Sequence, residues 1–283
     1  MTRRSNESPA PGLEPNRLQA VIQALDHHLN RTEPVPEPMA RQAQQLVYTA
    51  WKATTTAQGE ALIRRALELD PTNVDALLQM GGYAGLTGED KIEWMRKTVR
   101  MGEKNLGPEL LDGYAGAFWV ALQTRPYMRA RQQLAEALTV AGRLEEAVAE
   151  YQALLSLNPD DHQRVRYPQL LLLLRRQRLA EARKLFREYP DDLTAHVVFA
   201  WGRVLERFLA DDRATAATAL TAARKNNPHL ADYLLGRRPL PEKRPEVYTP
   251  GSPEEAVSFA ESLHAIWAVH PAALDWLAAQ KGA

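Results

Sequence analysis

Ala147-Val-Ala-Glu-Tyr151, Ala182-Arg-Lys-Leu-Phe186 and Ala216-Ala-Thr-Ala-Leu220 carry one pattern, an alanine followed one helical turn later by a larger residue, at intervals of 35 and 34 residues. A proline stands twelve residues beyond the first and third alanines, at Pro159 and Pro228. The same grammar occurs earlier, as Ile63-x-x-Ala66 closing at Pro71. A partner half reads Leu77-x-x-Met80-Gly81-x-x-Ala84, and again Leu134-Ala135-x-x-Leu138. Self-similarity at such a period marks a helical repeat. Two antiparallel helices account for the spacing. The small residue lets their backbones approach, the large one fills the space beside it, and proline stops the second helix and opens the next turn.

Working outward, the register places units at 38–71, 72–105, 128–161, 162–196 and 197–230. The gap between the second and third leaves room for an extra helix at 107–124, with Leu110, Leu111, Tyr114, Phe118, Trp119 and Leu122 on an apolar stripe. Residues 1–15 are polar and carry Pro9, Pro11 and Pro15, so they read as a disordered leader. Leu18, Val21, Ile22, Leu25 and Leu29 then recur at helical spacing, and alternate prolines at 34, 36 and 38 end that helix. The domain reading is therefore 1–37 for leader and first helix, 38–230 for the repeats, and 231–283 for a Pro-rich loop and two last helices. Ser252-Pro-Glu-Glu255 is a helix start with a capping box, and Pro271 opens the final helix. These two helices are expected to cap the end of the stack.

Composition removes whole classes of chemistry. With no cysteine, the chain has no disulfide, thiolate metal site or cysteine nucleophile. Lys plus Arg is 35 and Asp plus Glu is 35, so no whole-chain attraction to nucleic acid or anionic lipid is expected. The longest apolar run, Leu170 to Leu174, is far short of the roughly 20 residues that span a bilayer. A cytoplasmic protein is expected.

The spacing resembles the tetratricopeptide repeat, with its W-x-x-L-G-x-x-Y…A-x-x-x-F…P pattern. The matches are degenerate: Arg131 stands at the tryptophan position, and Gly59 and Glu93 take the alanine position in the first two units. The resemblance implies an all-α fold, a right-handed α-solenoid of tetratricopeptide-like helical hairpins with C-terminal capping helices. Arg125-Pro-Tyr-Met-Arg-Ala-Arg131, Asn158-Pro-Asp-Asp-His-Gln-Arg-Val-Arg-Tyr167, Asn227-Pro-His-Leu-Ala-Asp-Tyr-Leu-Leu-Gly236, Tyr248-Thr-Pro-Gly-Ser252 and Ala272-Ala-Leu-Asp-Trp-Leu277 are more specific. Together they resemble bacterial relatives of the suppressor-of-tumorigenicity-seven family, over about residues 75–278. That resemblance implies a helical-repeat protein with no assigned chemistry. Gln163-Arg164 departs from the family's usual Gln-Gly at this place, adding charge where glycine is expected.

No constellation for catalysis stands out. The seven histidines form no metal-binding pair at helical spacing, and Gly81-Gly82-x-x-Gly85 lacks the strand and the lysine of a phosphate loop. Neither cofactor nor metal is expected, and a non-enzymatic reading leads. The alternative is an enzyme whose site is assembled across a groove from residues that form no motif. Arginine is the one enrichment: residues 125–188 hold twelve basic against eight acidic residues. Since the first helix of each stacked pair lines the binding face, Arg125, Tyr127, Arg129 and Gln132, with Gln163, Arg166 and Tyr167, form the candidate partner-binding set. Forked guanidiniums there suit a protein or peptide, including an acidic one. The competing explanation is that Arg129 and Arg166 pair with Glu136 and Asp161 and only hold neighbouring units together. Partner and oligomeric state are not encoded in these patterns.

Overall fold

The computed structural model describes residues 22, 25–27, 29–30, 34–114 and 116–280, and every regular element among them is helical. The leader expected at 1–15 and most of the helix expected at 18–29 lie outside the described residues. The chain divides into two units, Met1–His162 and Gln163–Ala283, a division that falls inside the 38–230 span.

Among the described residues, unit 1 includes six helices with bounds on both sides. They are α1 (Glu37–Ala50), α2 (Thr56–Leu69), α3 (Val74–Tyr83), α4 (Gly88–Gly113), α5 (Arg125–Val140) and α6 (Leu144–Leu157). Two of them start at side-chain caps. Thr55 accepts from the Gln58 N–H at 3.3 Å to cap α2, and Asn73 accepts from the Ala76 N–H at 2.9 Å to cap α3. Ala43, Val47 and Ala50 of α1 are buried against α2, whose own buried stripe is Gly59, Ile63 and Ala66. Glycine at 59 leaves room for the Tyr83 side chain. A Cβ there would sit 2.4 Å from the Tyr83 hydroxyl oxygen. The first helix of the middle pair, α3, packs against its partner α4 and against the first helices on either side, α1 and α5.

The extra helix expected at 107–124 forms only as far as Gly113. Gly107 breaks α4 with φ 67°, and the helical chain beyond it ends at Gly113. From residue 116 to Ala121 the chain turns, with Gly116 at φ 82°, before a short 3-10 turn at Leu122–Thr124. Tertiary contacts outweigh the helical periodicity here. The Phe118 N–H donates to the Leu157 carbonyl at 3.1 Å, and the Thr124 hydroxyl bonds the Phe118 carbonyl. Of the expected apolar stripe only Phe118 is buried, and Leu122 is 69% exposed.

Unit 2 contains α7 (Arg166–Arg175), α8 (Leu179–Glu188), the single-turn α9 (Asp192–Ala195), α10 (Val197–Leu209), α11 (Arg213–Asn226), the short α12 (Leu230–Leu234), α13 (Pro253–Trp267) and α14 (Pro271–Ala279). Two pairs, α7 with α8 and α10 with α11, carry the repeat; Ala182 and Ala216 are fully buried within them, as is Ala147 in unit 1. The expected start of α13 forms. Ser252 accepts from the Glu255 N–H at 3.1 Å, with Pro253 as the first helical residue. α13 packs against both α7 and α10. The fold class is all-α, with helices packed in adjacent pairs and C-terminal helices covering the last two.

Candidate functional site

In unit 1, three first helices contribute to one polar network. Asp75 sits on α3 with a side chain only 1% exposed. Arg129 of α5 donates to it twice, from Nε to Oδ1 at 2.9 Å and from Nη2 to Oδ2 at 2.6 Å. Gln44 of α1 donates to the same Oδ2 at 3.1 Å, and Asn73 Nδ2 donates to Gln44 Oε1 at 3.0 Å. A carboxylate this buried persists only with such partners. The guanidinium also lies over the Trp51 ring, 5.6 Å from its centroid. Trp51 and Tyr48, with centroids 5.3 Å apart, are 47% and 44% exposed at the end of α1. Two large aromatic rings therefore stand in solvent beside an ordered network of donors and acceptors.

The other unit 1 candidates flank this network. Gln132, one helical turn from Arg129, donates to Glu136 at 3.2 Å. Arg129 itself pairs with Asp75 rather than with Glu136. Tyr127 is buried, not on the surface. Its hydroxyl donates to Glu103 at 3.0 Å and accepts from Arg131 at 3.2 Å. Burial pushes its pKa up to about 12, with Arg131 opposing and Glu103 adding to the shift. Arg125 closes the 116–124 turn, donating from Nε to the Trp119 carbonyl at 3.0 Å and stacking over that indole.

Gln163, Arg166 and Tyr167 lie in unit 2. Arg166 pairs with Asp192, and its Nη2 donates to the Tyr167 hydroxyl at 2.9 Å. The guanidinium lies over both Tyr167 and Tyr189, at 4.5 and 5.0 Å. Tyr167 stacks on His196 at 3.7 Å and also donates to Asp192. Burial is the main cause that lifts the Tyr167 pKa to about 12, and the main cause that drops His196 to about 4. Asp192 opposes the shift of His196, and Arg166 and Arg164 reinforce it. His196 Nδ1 accepts from the Val198 N–H at 3.2 Å, so the neutral ring carries its proton on Nε2.

Among the described residues no group of three or more His, Asp or Glu is arranged to hold a metal, and no helix is long and apolar enough to cross a membrane. No family model matches the chain, and no curated protein matches it. Among solved structures it is similar to YrrB, described as a TPR protein with an unusual peptide-binding site. The two are 18% identical with a TM-score of 0.44, over 73% of this chain and 91% of that one.

Sequence reading missed Gln44, Tyr48, Trp51 and Asp75 in unit 1, and Asp192 and His196 in unit 2. One signal was available. Asp75 interrupts the run Val74-Asp-Ala-Leu-Leu78, and a carboxylate inside an apolar stripe requires a cation from another element.

Proposed function

We propose that the protein is a non-enzymatic helical-repeat scaffold that binds a protein or peptide on the first-helix face of unit 1. One observation carries this reading: Tyr48 and Trp51 are held exposed beside the Gln44–Asp75–Arg129 network. Exposed aromatic side chains grouped with oriented polar groups are the usual make-up of a binding hot spot. The network fixes the Arg129 side chain in place, so little rotamer entropy is lost when a partner arrives. Gln132 extends the polar edge along α5, while Arg125 and Tyr127 support the helix from behind. Arg166 and Tyr167 belong to a second cluster with Asp192 and His196 in unit 2, and Gln163 precedes them in the same unit. The narrower part of the proposal is kinship with bacterial relatives of the suppressor-of-tumorigenicity-seven family, supported by the five segments quoted above.

The test is selection of peptides from a displayed library on the intact chain, followed by measured binding to Tyr48→Ala with Trp51→Ala. Selected peptides should lose at least about tenfold in affinity, the loss of one to two hot-spot contacts, with far-ultraviolet circular dichroism unchanged. Undiminished binding by the folded double variant removes this face from consideration. An acidic partner would show itself in the same assay, as binding weakened by salt.

A further inference from the structure

In an open helical array the first helices keep one face in solvent, and a partner docks there. Unit 2 departs from this. Val197, Val198, Phe199, Trp201, Val204, Leu205 and Phe208 are all buried, so the first turns of α10 are covered all round, and Arg203 and Arg207 further along keep partial exposure. Besides α7, α8, α9 and α11, the C-terminal helix α13 supplies part of that cover. Ala256, Ala260, Leu263 and Trp267 form one buried stripe on α13, at i, i+4, i+7 and i+11, while Glu254, Ser258, Glu261 and Ser262 face solvent. Trp267 meets Trp201 edge-on at 6.4 Å, Phe259 meets His196 at 4.9 Å, and His270 Nε2 lies 3.3 Å from the Leu174 carbonyl of α7. An amphipathic helix with small residues at one end and a large ring at the other, laid across two receptor helices, is the helix-in-groove mode of recognition.

Two further observations show that this occupant is tethered and imperfectly matched. The link 236–252 contains no helix and has prolines at 239, 241, 245 and 250, and α13 is tied at its start by Glu255, which accepts from Asn227 and from the Gly251 N–H. At the seam itself His196 Nε2, Trp201 Nε1 and Trp267 Nε1 are buried and no protein atom accepts from them. The first two of these donors belong to the receptor side, and α13 offers neither an acceptor. Buried donors left unpaired are costly and uncommon.

We propose that the face formed by α7 and α10 is a helix-binding groove which α13 fills in cis, and that its external occupant is an amphipathic helix of a partner protein. Such a helix would repeat the small, small, large, aromatic stripe of α13 and add a carboxamide, hydroxyl or carboxylate acceptor beside Trp201 or His196. This groove is distinct from the unit 1 face, and its fate does not depend on that reading.

Hydrogen exchange on the intact chain, with and without a labelled synthetic peptide of residues 253–279, tests it. Amides of 253–279 should exchange at least about tenfold faster than those of 166–226, the mark of a segment that opens on its own. The peptide should bind saturably and accelerate exchange of the resident 253–279 while 166–226 stays protected. Glu255→Ala, which cuts the tie without touching the groove, should tighten peptide binding. If that variant unfolds, the intact-chain exchange decides. Exchange of 253–279 in step with 166–226, or no peptide binding, overturns the proposal. A concentration-dependent dimer that excludes the peptide also overturns it, by giving the groove to a second copy of the chain.

Discussion

At the scale of single residues, two buried polar groups have readable consequences. Asp75 is 2% exposed and depends on Arg129, so removing the cation leaves a carboxylate with only the Gln44 amide and no counter-charge. Arg129→Met should destabilise the chain by about 2–4 kcal/mol, somewhat below a fully buried pair because the arginine is partly exposed. Asp75→Asn in the same background should recover part of that loss; urea unfolding of both variants checks it, and a parent-like Arg129→Met would mean the pair does not hold the helices. His196 makes a second case. Its pKa falls from about 6.5 to about 4 on folding, so the unfolded chain binds more protons between those values. Stability is therefore full above pH 6.5 and is lost as the pH falls toward 4, by about 3 kcal/mol at most. His196→Asn keeps an acceptor for the Val198 N–H and removes the titration, so the difference in unfolding free energy between parent and variant should shrink across that window. A constant difference would show that His196 is not the titrating group. Arginine at 129 and 166 was legible as polar positions on first helices. Their partners were not, since Arg129 and Asp75 are 54 residues apart and no local pattern links them.

At the scale of elements, the alanine-plus-aromatic period located the pairs because it encodes helix crossings directly. Ala182 is fully exposed to that constraint: with 0% accessibility between α7, α8 and α10, it has no room to grow. Ala182→Trp should overpack the crossing and cost about 1–3 kcal/mol, or more if the backbone has to shift. A thermal melt that coincides with the parent's would show that the register is wrong. Degenerate positions are resolved by substitution of one contact for another. Arg131, at the expected tryptophan, pairs with Glu150 of α6 at 2.8 Å and lies over Tyr127, so an ion pair joins α5 to α6 where an indole was expected. The helix expected at 107–124 stops at Gly113 for a reason that periodicity does not register. Gly107, Gly113 and Gly116 make the helix cheap to break, and the pull of Phe118 into the core then decides the path. The opposite signal was present at the start of α10, where Val197-Val-Phe-Ala-Trp201 offers no polar position for water.

At the scale of the whole molecule, a formal charge of zero and a surface rich in paired arginines leave association to specific faces rather than to a long-range field. Those faces differ between the units. In unit 1 the first helices keep Tyr48 and Trp51 exposed, whereas in unit 2 Trp201 and Phe199 are fully buried, Trp201 against Trp267 of α13 and Phe199 against Tyr167 and Phe186. Deleting residues 249–283 should therefore expose the apolar faces of α7 and α10 at once, along with Phe208, which Trp276 now covers at 5.4 Å. Contiguous exposed apolar patches are an aggregation liability. The truncated chain should aggregate or lose helicity, read by light scattering and circular dichroism on one preparation. A monodisperse truncation as stable as the parent would instead make 249–283 an appendage outside the core. Supplying the peptide 253–279 during refolding turns the same experiment into a test of the groove, because only a face that accepts a helix in trans would regain a monodisperse, helical state. Rescue by that peptide, and none by one carrying Leu263→Asp with Trp267→Asp, is the expected outcome, since burying an unpaired carboxylate in the seam is strongly unfavourable.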